Sequence, residues 1–330
     1  MDTMRNLLFA FLAGLAAAVG GCGPAQPVSI ITEESLSTSV EQAAWEGAGG
    51  GRVLQTQDYR IFTTIQGGNL IATMPGFMEA CRRNYLRILR LPDRPAQGPM
   101  TIYLLDNRQE WASLTRSLLG DQAGKFLSIE QGGYCYRDLC VFWRIGGTAT
   151  LSVAAHEGLH QYIHSRLADQ LPMWLEEGLC TQAEGYDLRG RTVAFSTDFN
   201  IARRGDVENA LTARFWIPVD KLLPMDAGDA VGAHTERATA YYGQLWALVK
   251  FIRSDPATSA GLDRLIADAE AGRLHQAVGV PPEALAELRL RGRIYNQTVS
   301  EPLFRKYISD DLPAFEKRYK EFCMRLTGLK

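Results

Sequence analysis

The amino-acid sequence predicts an α+β fold, in which a small mixed sheet packs on a central helix and a mostly helical part follows. Two β-branched and aromatic runs, Tyr59 to Ile65 and Met100 to Leu105, predict strands. Residues 148–171 predict the central helix, which must end before Pro172 because proline disfavours helix at the preceding residue. Apolar residues at helical spacing in Thr235 to Arg253 predict a long helix in the C-terminal part.

The remaining elements before the central helix follow from the same patterns. Pro75 to Leu91 has apolar residues at helical spacing, and Arg108 to Leu119 predicts a second helix after the second strand. Tyr134 to Ile145 is a β region bounded by glycine pairs, which predicts a hairpin. Thr148 or Thr150 can cap the start of the central helix.

After the central helix, the signals are mostly helical. Pro172 suits the first turn of a helix that ends near Gly185. A linking region with weak strand signals follows from Val193 to Pro224, and Ser259 to Gly272 predicts another helix. A last helix is predicted from Leu312 to Leu326, capped by Asp310 or Asp311.

Composition and charge narrow the class of protein. The chain has 330 residues, 46% hydrophobic and 22% charged, with a formal net charge of −2. Proteins that bind nucleic acid carry a basic excess, so this balance argues against a nucleic-acid partner. A mean hydropathy of −0.13 excludes a polytopic membrane protein. Of only five histidines, three lie within nine positions: His156, His160 and His164.

Residues 1–22 resemble the signal peptide of a bacterial lipoprotein. Arg5 gives a short positive region, and the apolar run Leu7 to Ala18 is shorter than the ~20 residues that span a bilayer. Small residues then precede Cys22, as in a lipobox. The resemblance implies cleavage before Cys22, acylation of this residue, and an exported protein tethered to a bacterial membrane and facing the periplasm or cell exterior. An ordinary secretory signal with an incidental cysteine is the alternative, and it also implies export.

The rest of the chain divides by composition. Residues 23–52 are rich in Pro, Ser, Thr and Gly, which predicts a tether. Residues 53–330 then form one unit with three parts. These are an N-terminal α/β part at 53–147, the central helices at 148–190, and a mostly helical part at 191–330.

An exported protein meets an oxidising environment, in which its cysteines can form disulfides. Cys135 and Cys140 flank four residues that can form a turn, so the two can pair across a hairpin. Three further cysteines remain in this unit: Cys81, Cys180 and Cys323. No two cysteines are spaced CxxC, which argues against a structural zinc site made of four cysteines.

Residues 156–160 of the central helix read HExxH. His156 and His160 are four residues apart, so both side chains lie on one face of the helix and can bind one Zn²⁺ ion. Glu157 is rotated by about 100° from His156, so it cannot be a ligand of the same ion but can reach a water molecule there. One helical turn thus supplies two metal ligands and a general base.

A catalytic zinc site takes three protein ligands and a water molecule. His164 continues the spacing of four, but each step drifts by ~40° around the helix, so three such histidines cannot all close on one ion. Glu176 and Glu177 lie on the next predicted helix, which can pack antiparallel to the first. Adjacent helical residues point ~100° apart, so only one of these two can be the ligand, and the spacing does not choose between them.

The segments HEGLHQY at 156–162 and PMWLEEGL at 172–179 resemble the peptidase MA-like gluzincin family of bacterial exported proteins, most closely the domain-of-unknown-function family 1570. YGQLWALVKF at 242–251 is similar to a later helix of that family. The resemblance implies a zincin-like fold and places the third ligand on Glu177. Thr181 departs from the pattern, because thermolysin-like enzymes have at that position an acidic residue that orients the first histidine.

Together these observations predict zinc-dependent hydrolysis of a peptide or protein substrate. Zn²⁺ would be held by His156, His160 and Glu177, with Glu157 as general base. Tyr242 is the first candidate for a donor to the oxyanion, and His234 is the second. The strand Cys140 to Ile145 is a candidate edge for pairing with an extended peptide. The alternative is a non-catalytic envelope lipoprotein that uses a peptidase-like scaffold for binding.

Overall fold

The computed structural model describes residues 31–329 except 48–49, 95–97, 130–131, 137, 227 and 229–234. The predicted signal peptide, Cys22 and His234 lie outside these residues. The α+β class is confirmed, with a small mixed sheet in the N-terminal half and mostly helices after it. The strands are β1 (Thr32–Ser35), β2 (Glu41–Trp45), β3 (Gly51–Gln55), β4 (Tyr59–Thr63), β5 (Met100–Leu105), β6 (Gly133–Tyr136), β7 (Leu139–Trp143), β8 (Tyr186–Arg189) and β9 (Thr192–Phe195).

The α-helices follow the same chain order. They are α1 (Asn69–Leu89), α2 (Arg108–Leu119), α3 (Gly147–Arg166), α4 (Met173–Ala183), α5 (Ile201–Thr212), α6 (Val219–Leu222), α7 (Thr235–Ser254), α8 (Pro256–Glu270), α9 (Leu274–Val278), α10 (Pro282–Arg289), α11 (Arg293–Tyr307) and α12 (Leu312–Thr327). None of these helices is both long and apolar enough to cross a bilayer.

The main sheet has the strand order β2-β3-β4-β5-β7-β6. β4, β5 and β7 are parallel to one another, whereas β6 pairs with β7 as an antiparallel hairpin. Successive side chains of a strand point to opposite faces of the sheet, and the two faces of this sheet pack into two different hydrophobic cores. Cys140 and Phe142 of β7 face the large core shared with α1 and α3, while Val141 and Trp143 face a smaller core with Trp111 of α2. The sheet therefore has helices on both faces.

Two glycines let the central helices approach their neighbours closely. A Cβ at Gly158 of α3 would lie 2.5 Å from the hydroxyl oxygen of Tyr85, whose O–H donates to the carbonyl of Ala155. A Cβ at Gly178 of α4 would lie 2.6 Å from a methyl carbon of Val249 on α7. Both glycines belong to the motifs of the predicted metal site, and in the fold they set the spacing of α3 from α1 and of α4 from α7.

Several sequence predictions need correction. Part of the predicted tether at 23–52 is paired structure, because β1 pairs with β9 and β2 pairs with β3. Both strands are short, and neither buries a side chain fully: β1 is polar and half-buried at alternate residues, and β2 is exposed except at Trp45, so they carry little apolar signal. The strand Cys140 to Ile145 was predicted as a possible edge, but β7 lies between β5 and β6.

The helical predictions differ from the structure in extent and number. Helix α1 begins at Asn69 rather than at Pro75, which lies inside it. The linking region predicted at Val193 to Pro224 contains β9, α5 and α6, and the three helices α9, α10 and α11 were not predicted.

Candidate metal centre

Helices α3 and α4 bring His156, His160 and Glu177 together. The two Nε2 atoms lie 3.2 Å apart, and Oε2 of Glu177 lies 3.3 Å from Nε2 of His156 and 3.5 Å from Nε2 of His160. These three residues could hold a metal ion between them. Of the two carboxylates that the spacing left open, Glu177 is therefore the one that meets both Nε2 atoms.

The distances fit the size of a zinc ion. In a tetrahedral site, with bonds of about 2.05 Å, two ligand atoms are separated by about 3.3 Å. The three separations of 3.2, 3.3 and 3.5 Å form a triangle of this size. The triangle is also buried, since the side chains of His156, His160 and Glu177 are 13%, 10% and 7% exposed.

The other ring nitrogens of the two histidines each face a carboxylate. Nδ1 of His156 lies 2.8 Å from Oε1 of Glu184, and Nδ1 of His160 lies 2.7 Å from Oε1 of Glu176. Each Nδ1–H donates to its carboxylate, which leaves the Nε2 of a neutral ring with a lone pair. Oε2 of Glu177 is buried and lies within 3.5 Å of both Nε2 atoms, which are the nearest donors that the described residues offer it. Only a proton or a cation can satisfy this arrangement.

Glu184 was missed by the sequence prediction. It follows α4 directly and lies seven residues beyond Glu177, so it is on the same face of the helix. Arg203 of α5 binds both its oxygens at 2.9 Å, and Nδ2 of Asn200 donates to Oε2 at 2.9 Å. Glu184 takes the orienting role expected at the position of Thr181, whose hydroxyl donates instead to the carbonyl of Gly178. The spacing of seven residues was the signal that could have found it.

The buried carboxylates are ionised and the histidines attract protons. Burial alone would raise the pKa of Glu184, but Arg203 and His156 beside it lower this pKa to about 2. Burial likewise opposes ionisation of Glu176 and Glu177, yet the histidines hold the pKa of Glu176 at about 2 and that of Glu177 well below its usual range. Although burial acts to lower the pKa of His156, hydrogen bonds to Glu177 and Glu184 raise it to about 9. The three ionised carboxylates therefore stabilise a positive charge, either protons on the histidines or a metal cation between them.

His164 lies outside the triangle, as predicted. Its Nε2 lies 2.7 Å from the same Oε1 of Glu176 that accepts from His160, and its side chain is 35% exposed. His160, His164 and Glu176 form a second group with metal-ligand chemistry. Both separations in it are 2.7 Å, shorter than the ~3.3 Å between two ligands of one zinc ion, so they are hydrogen bonds. Glu176 thus orients two histidines.

Glu157 and Tyr242 both lie beside the triangle. Burial raises the pKa of Glu157, which interacts electrostatically with His156 and His160 and accepts a hydrogen bond from the backbone N–H of Cys135. The ring of Tyr242 on α7 meets the ring of His156 edge to face, with centroids 6.4 Å apart. The guanidinium carbon of Arg203 lies 5.1 Å from the centroid of the Tyr242 ring. The structure therefore gathers all the predicted site residues that it describes.

Comparison of the chain with protein-family models, with curated proteins and with solved structures found no match.

Proposed function

We propose that the chain is a zinc-dependent peptidase with a gluzincin-like centre in a zincin-like fold. The observation that carries this proposal is the triangle of His156, His160 and Glu177, whose edges of 3.2, 3.3 and 3.5 Å match the ligand spacing of tetrahedral zinc. Two nitrogens and one carboxylate oxygen are also the donor set typical of catalytic zinc, which keeps a fourth position for water or substrate.

The carboxylates around the histidines support the same function. Metal-binding histidines almost always donate their second N–H to a carboxylate or carbonyl group, which fixes the ring and makes the other nitrogen a better ligand. Glu184 and Glu176 do this for His156 and His160. A group of histidines that only packed in the core would not need two separate carboxylates in these positions.

The neighbouring residues supply the remaining steps of hydrolysis. Zinc bound by the triangle would polarise the peptide carbonyl and lower the pKa of a water molecule towards ~7. Glu157 accepts a proton from that water as its oxygen attacks the carbonyl carbon. The same residue then delivers the proton to the nitrogen as the C–N bond breaks. Tyr242 donates its O–H to the oxyanion that forms during the attack.

The substrate strand in this proposal pairs with β6. β6 forms one end of the main sheet in the part of the chain that is described, and it packs against α3. An extended peptide added to β6 would run beside the helix that carries Glu157. Export and a lipid anchor at Cys22 would place this hydrolysis at a bacterial membrane, on the side that faces the periplasm or the cell exterior.

The direct test combines metal analysis with a Glu157→Gln variant. The purified protein should bind one zinc ion after Zn²⁺ addition, and the variant should bind zinc as well as the wild type does but cleave a peptide library at least ~100-fold more slowly. Glu208→Gln, on the exposed side of α5, is the matched control and should keep full activity. Equal cleavage by Glu157→Gln and wild type would remove Glu157 as the base, and failure to bind zinc would remove the peptidase itself.

The burial of the ligands favours a second candidate, a binding module that keeps a zinc site without catalysis. The side chains of His160 and Glu177 are only 10% and 7% exposed, which restricts the access of a peptide to the ion. A module of this kind should bind one zinc ion per chain and release no new peptide ends from any library. Its affinity for a partner should be the same in the Glu157→Gln and Glu208→Gln variants.

A further inference from the structure

Two cysteines face each other next to the metal centre. In the β6–β7 hairpin, Cys135 lies directly opposite Cys140, and both side chains face the large core beside α3. Directly opposed residues of antiparallel strands have Cβ atoms about 4.5–5.5 Å apart, and a disulfide brings them to about 3.8 Å. The structure describes both residues as thiols, and a small approach of two neighbouring strands would join them.

The two thiols have different surroundings. Cys135 is partly exposed on the end strand β6, and Nδ1 of His164 lies 3.9 Å from its sulfur. A hydrogen bond with Cys140 and the adjacent imidazole of His164 lower the pKa of Cys135 to about 6, against the effect of burial. Cys140 is fully buried, and burial raises its pKa. Cys135 therefore has the character of an attacking thiolate and Cys140 that of a resolving thiol.

Both cysteines also contact the proposed catalytic helix. The backbone N–H of Cys135 donates to the carboxylate of Glu157, and the thiol of Cys140 donates to the carbonyl oxygen of the same residue at 3.0 Å. A second connection runs from Cys135 through His164 to Oε1 of Glu176, which accepts from Nδ1 of His160. A change in the state of the two sulfurs is thus transmitted to Glu157 and to a metal ligand.

We propose that Cys135 and Cys140 form a thiol–disulfide switch that takes disulfides as oxidants and controls the affinity of the neighbouring centre for zinc. The Cys135 thiolate attacks one sulfur of the oxidant RSSR, forming a mixed disulfide and releasing RS⁻, which takes up the proton that Cys135 lost. The Cys140 sulfur then loses its proton and attacks Cys135, which releases the second RS⁻ as RSH. Two thiols lose two electrons, and RSSR gains them as two RSH.

Formation of the disulfide does not depend on the proposed function, whereas the effect of the disulfide on zinc affinity rests on the proposed zinc centre. The disulfide removes the thiolate charge beside His164 and the S–H donor to the carbonyl of Glu157. Both losses make the centre less favourable for a cation, and we expect zinc to bind about tenfold more weakly to the oxidised protein. Because such coupling is reciprocal, bound zinc should make the pair harder to oxidise by the same factor, about 30 mV for a two-electron couple.

The sequence offers a direct assay for the disulfide. Arg137 lies between the two cysteines, so trypsin separates them into peptides 126–137 and 138–144. The full-length protein is equilibrated with oxidised and reduced glutathione, alkylated, denatured and digested. We expect the two peptides to be linked in the oxidised sample and separate after reduction. The buried Cys81, Cys180 and Cys323 are internal controls and should remain alkylated as single cysteines in both samples.

Two variants test the order of the steps. Cys140→Ala should accumulate a mixed disulfide with glutathione on Cys135, whereas Cys135→Ser should form none on Cys140. Cys323→Ala is the matched control and should leave the linked peptides unchanged. If peptides 126–137 and 138–144 never link, or if the pair instead binds a second zinc ion and resists oxidation, the switch is refuted.

The effect on the metal centre is measured separately, by titrating oxidised and reduced protein with Zn²⁺ against a competing chelator. A tenfold weaker affinity of the oxidised form supports the coupling, and equal affinities overturn it. If neither form binds zinc, the proposed metal centre and its coupling fail together, while linked peptides still establish the disulfide.

Discussion

Nδ1 of His156 lies 2.8 Å from Oε1 of Glu184, the residue that directly follows α4. Arg203 and Asn200 fix the same carboxylate from the side of α5. One imidazole of the candidate metal centre is therefore oriented by the residue that caps a neighbouring helix, and that residue is held in turn by the start of α5.

Replacing Glu184 by Gln tests this relationship. The amide oxygen can still accept the Nδ1–H of His156, but the charge is lost and Arg203 keeps only Asp206 as a charged partner. We expect zinc affinity to fall by about 10–100-fold, the usual cost of losing such a support. Competition titration with a chelator measures the effect, and Glu208→Gln, on the exposed side of α5, should show no change. An unchanged zinc affinity in Glu184→Gln would mean that this carboxylate only holds Arg203 and Asn200 in place and does not support the metal centre.

Glu176 and Glu177 are neighbours with different roles, so their Gln variants should differ. Glu177→Gln loses a ligand oxygen, and its zinc affinity should fall by more than about 100-fold. Glu176→Gln retains all three ligands but loses the acceptor for His160 and His164, and the fall should stay within about 10–100-fold. Paired zinc titrations of the two variants measure the difference. The reverse order would assign the third ligand to Glu176.

Zinc affinity should depend on pH in a way set by His156. Its pKa of about 9 means that the metal-free ring is protonated at neutral pH, and a protonated ring cannot bind the ion. The pKa of His160 is raised as well, so zinc binding must release at least the proton of His156, and the apparent affinity should rise at least about tenfold per pH unit from about pH 6 and level off no earlier than about pH 9. Titrations across this range, with proton release measured in weak buffer, check the slope. A plateau above pH 7 would contradict it.

Gly158→Ala should destabilise the protein even though alanine favours helix. The added methyl would lie 2.5 Å from the hydroxyl of Tyr85 and 2.8 Å from the terminal carbon of Met78, so these two side chains, or the helices α1 and α3 themselves, must shift. We expect a loss of about 1–3 kcal/mol in the free energy of unfolding, measured with urea on zinc-free protein.

Gly205→Ala is the matched control for Gly158→Ala. Gly205 lies inside α5, and its added methyl meets no atom within 4 Å. This change should stabilise the protein by about 0.5–1 kcal/mol. A Gly158→Ala variant as stable as the wild type would show that the two helices can separate without cost.

The sequence predicted those helices and strands whose hydrophobic period and end residues lie within the element itself. β5 and α2 have the predicted bounds, Met100–Leu105 and Arg108–Leu119, because each has a clear period and a distinct end. The helices that carry HExxH and the two glutamates were predicted for the same reason, and they bring His156, His160 and Glu177 together. Asp311 caps the last helix, as one of two predicted candidates.

The features that were missed depend on partners distant in the sequence. β1 is four polar residues whose strand conformation comes from pairing with β9, more than 150 residues later. The spacing of Glu184 from Glu177 could have indicated which face it lies on, but its ionised state also depends on Arg203 of α5, which no local pattern reveals. Which strand forms the end of the sheet also follows from topology, since β6 and β7 have similar sequences of aromatic and apolar residues.

If Cys22 is lipidated, as the sequence predicts, the pairing of β1 with β9 limits the distance between the protein and the membrane. Because Thr32 is paired with Phe195, only ten residue-to-residue steps of chain separate Cys22 from the sheet that contains β1. A fully extended chain of that length spans at most ~35 Å, whatever conformation those residues take. With Cys22 lipidated, Thr32 would lie within ~35 Å of the bilayer surface. Under the proposed peptidase function, the substrates would then be membrane-associated polypeptides or those that pass close to the lipid surface.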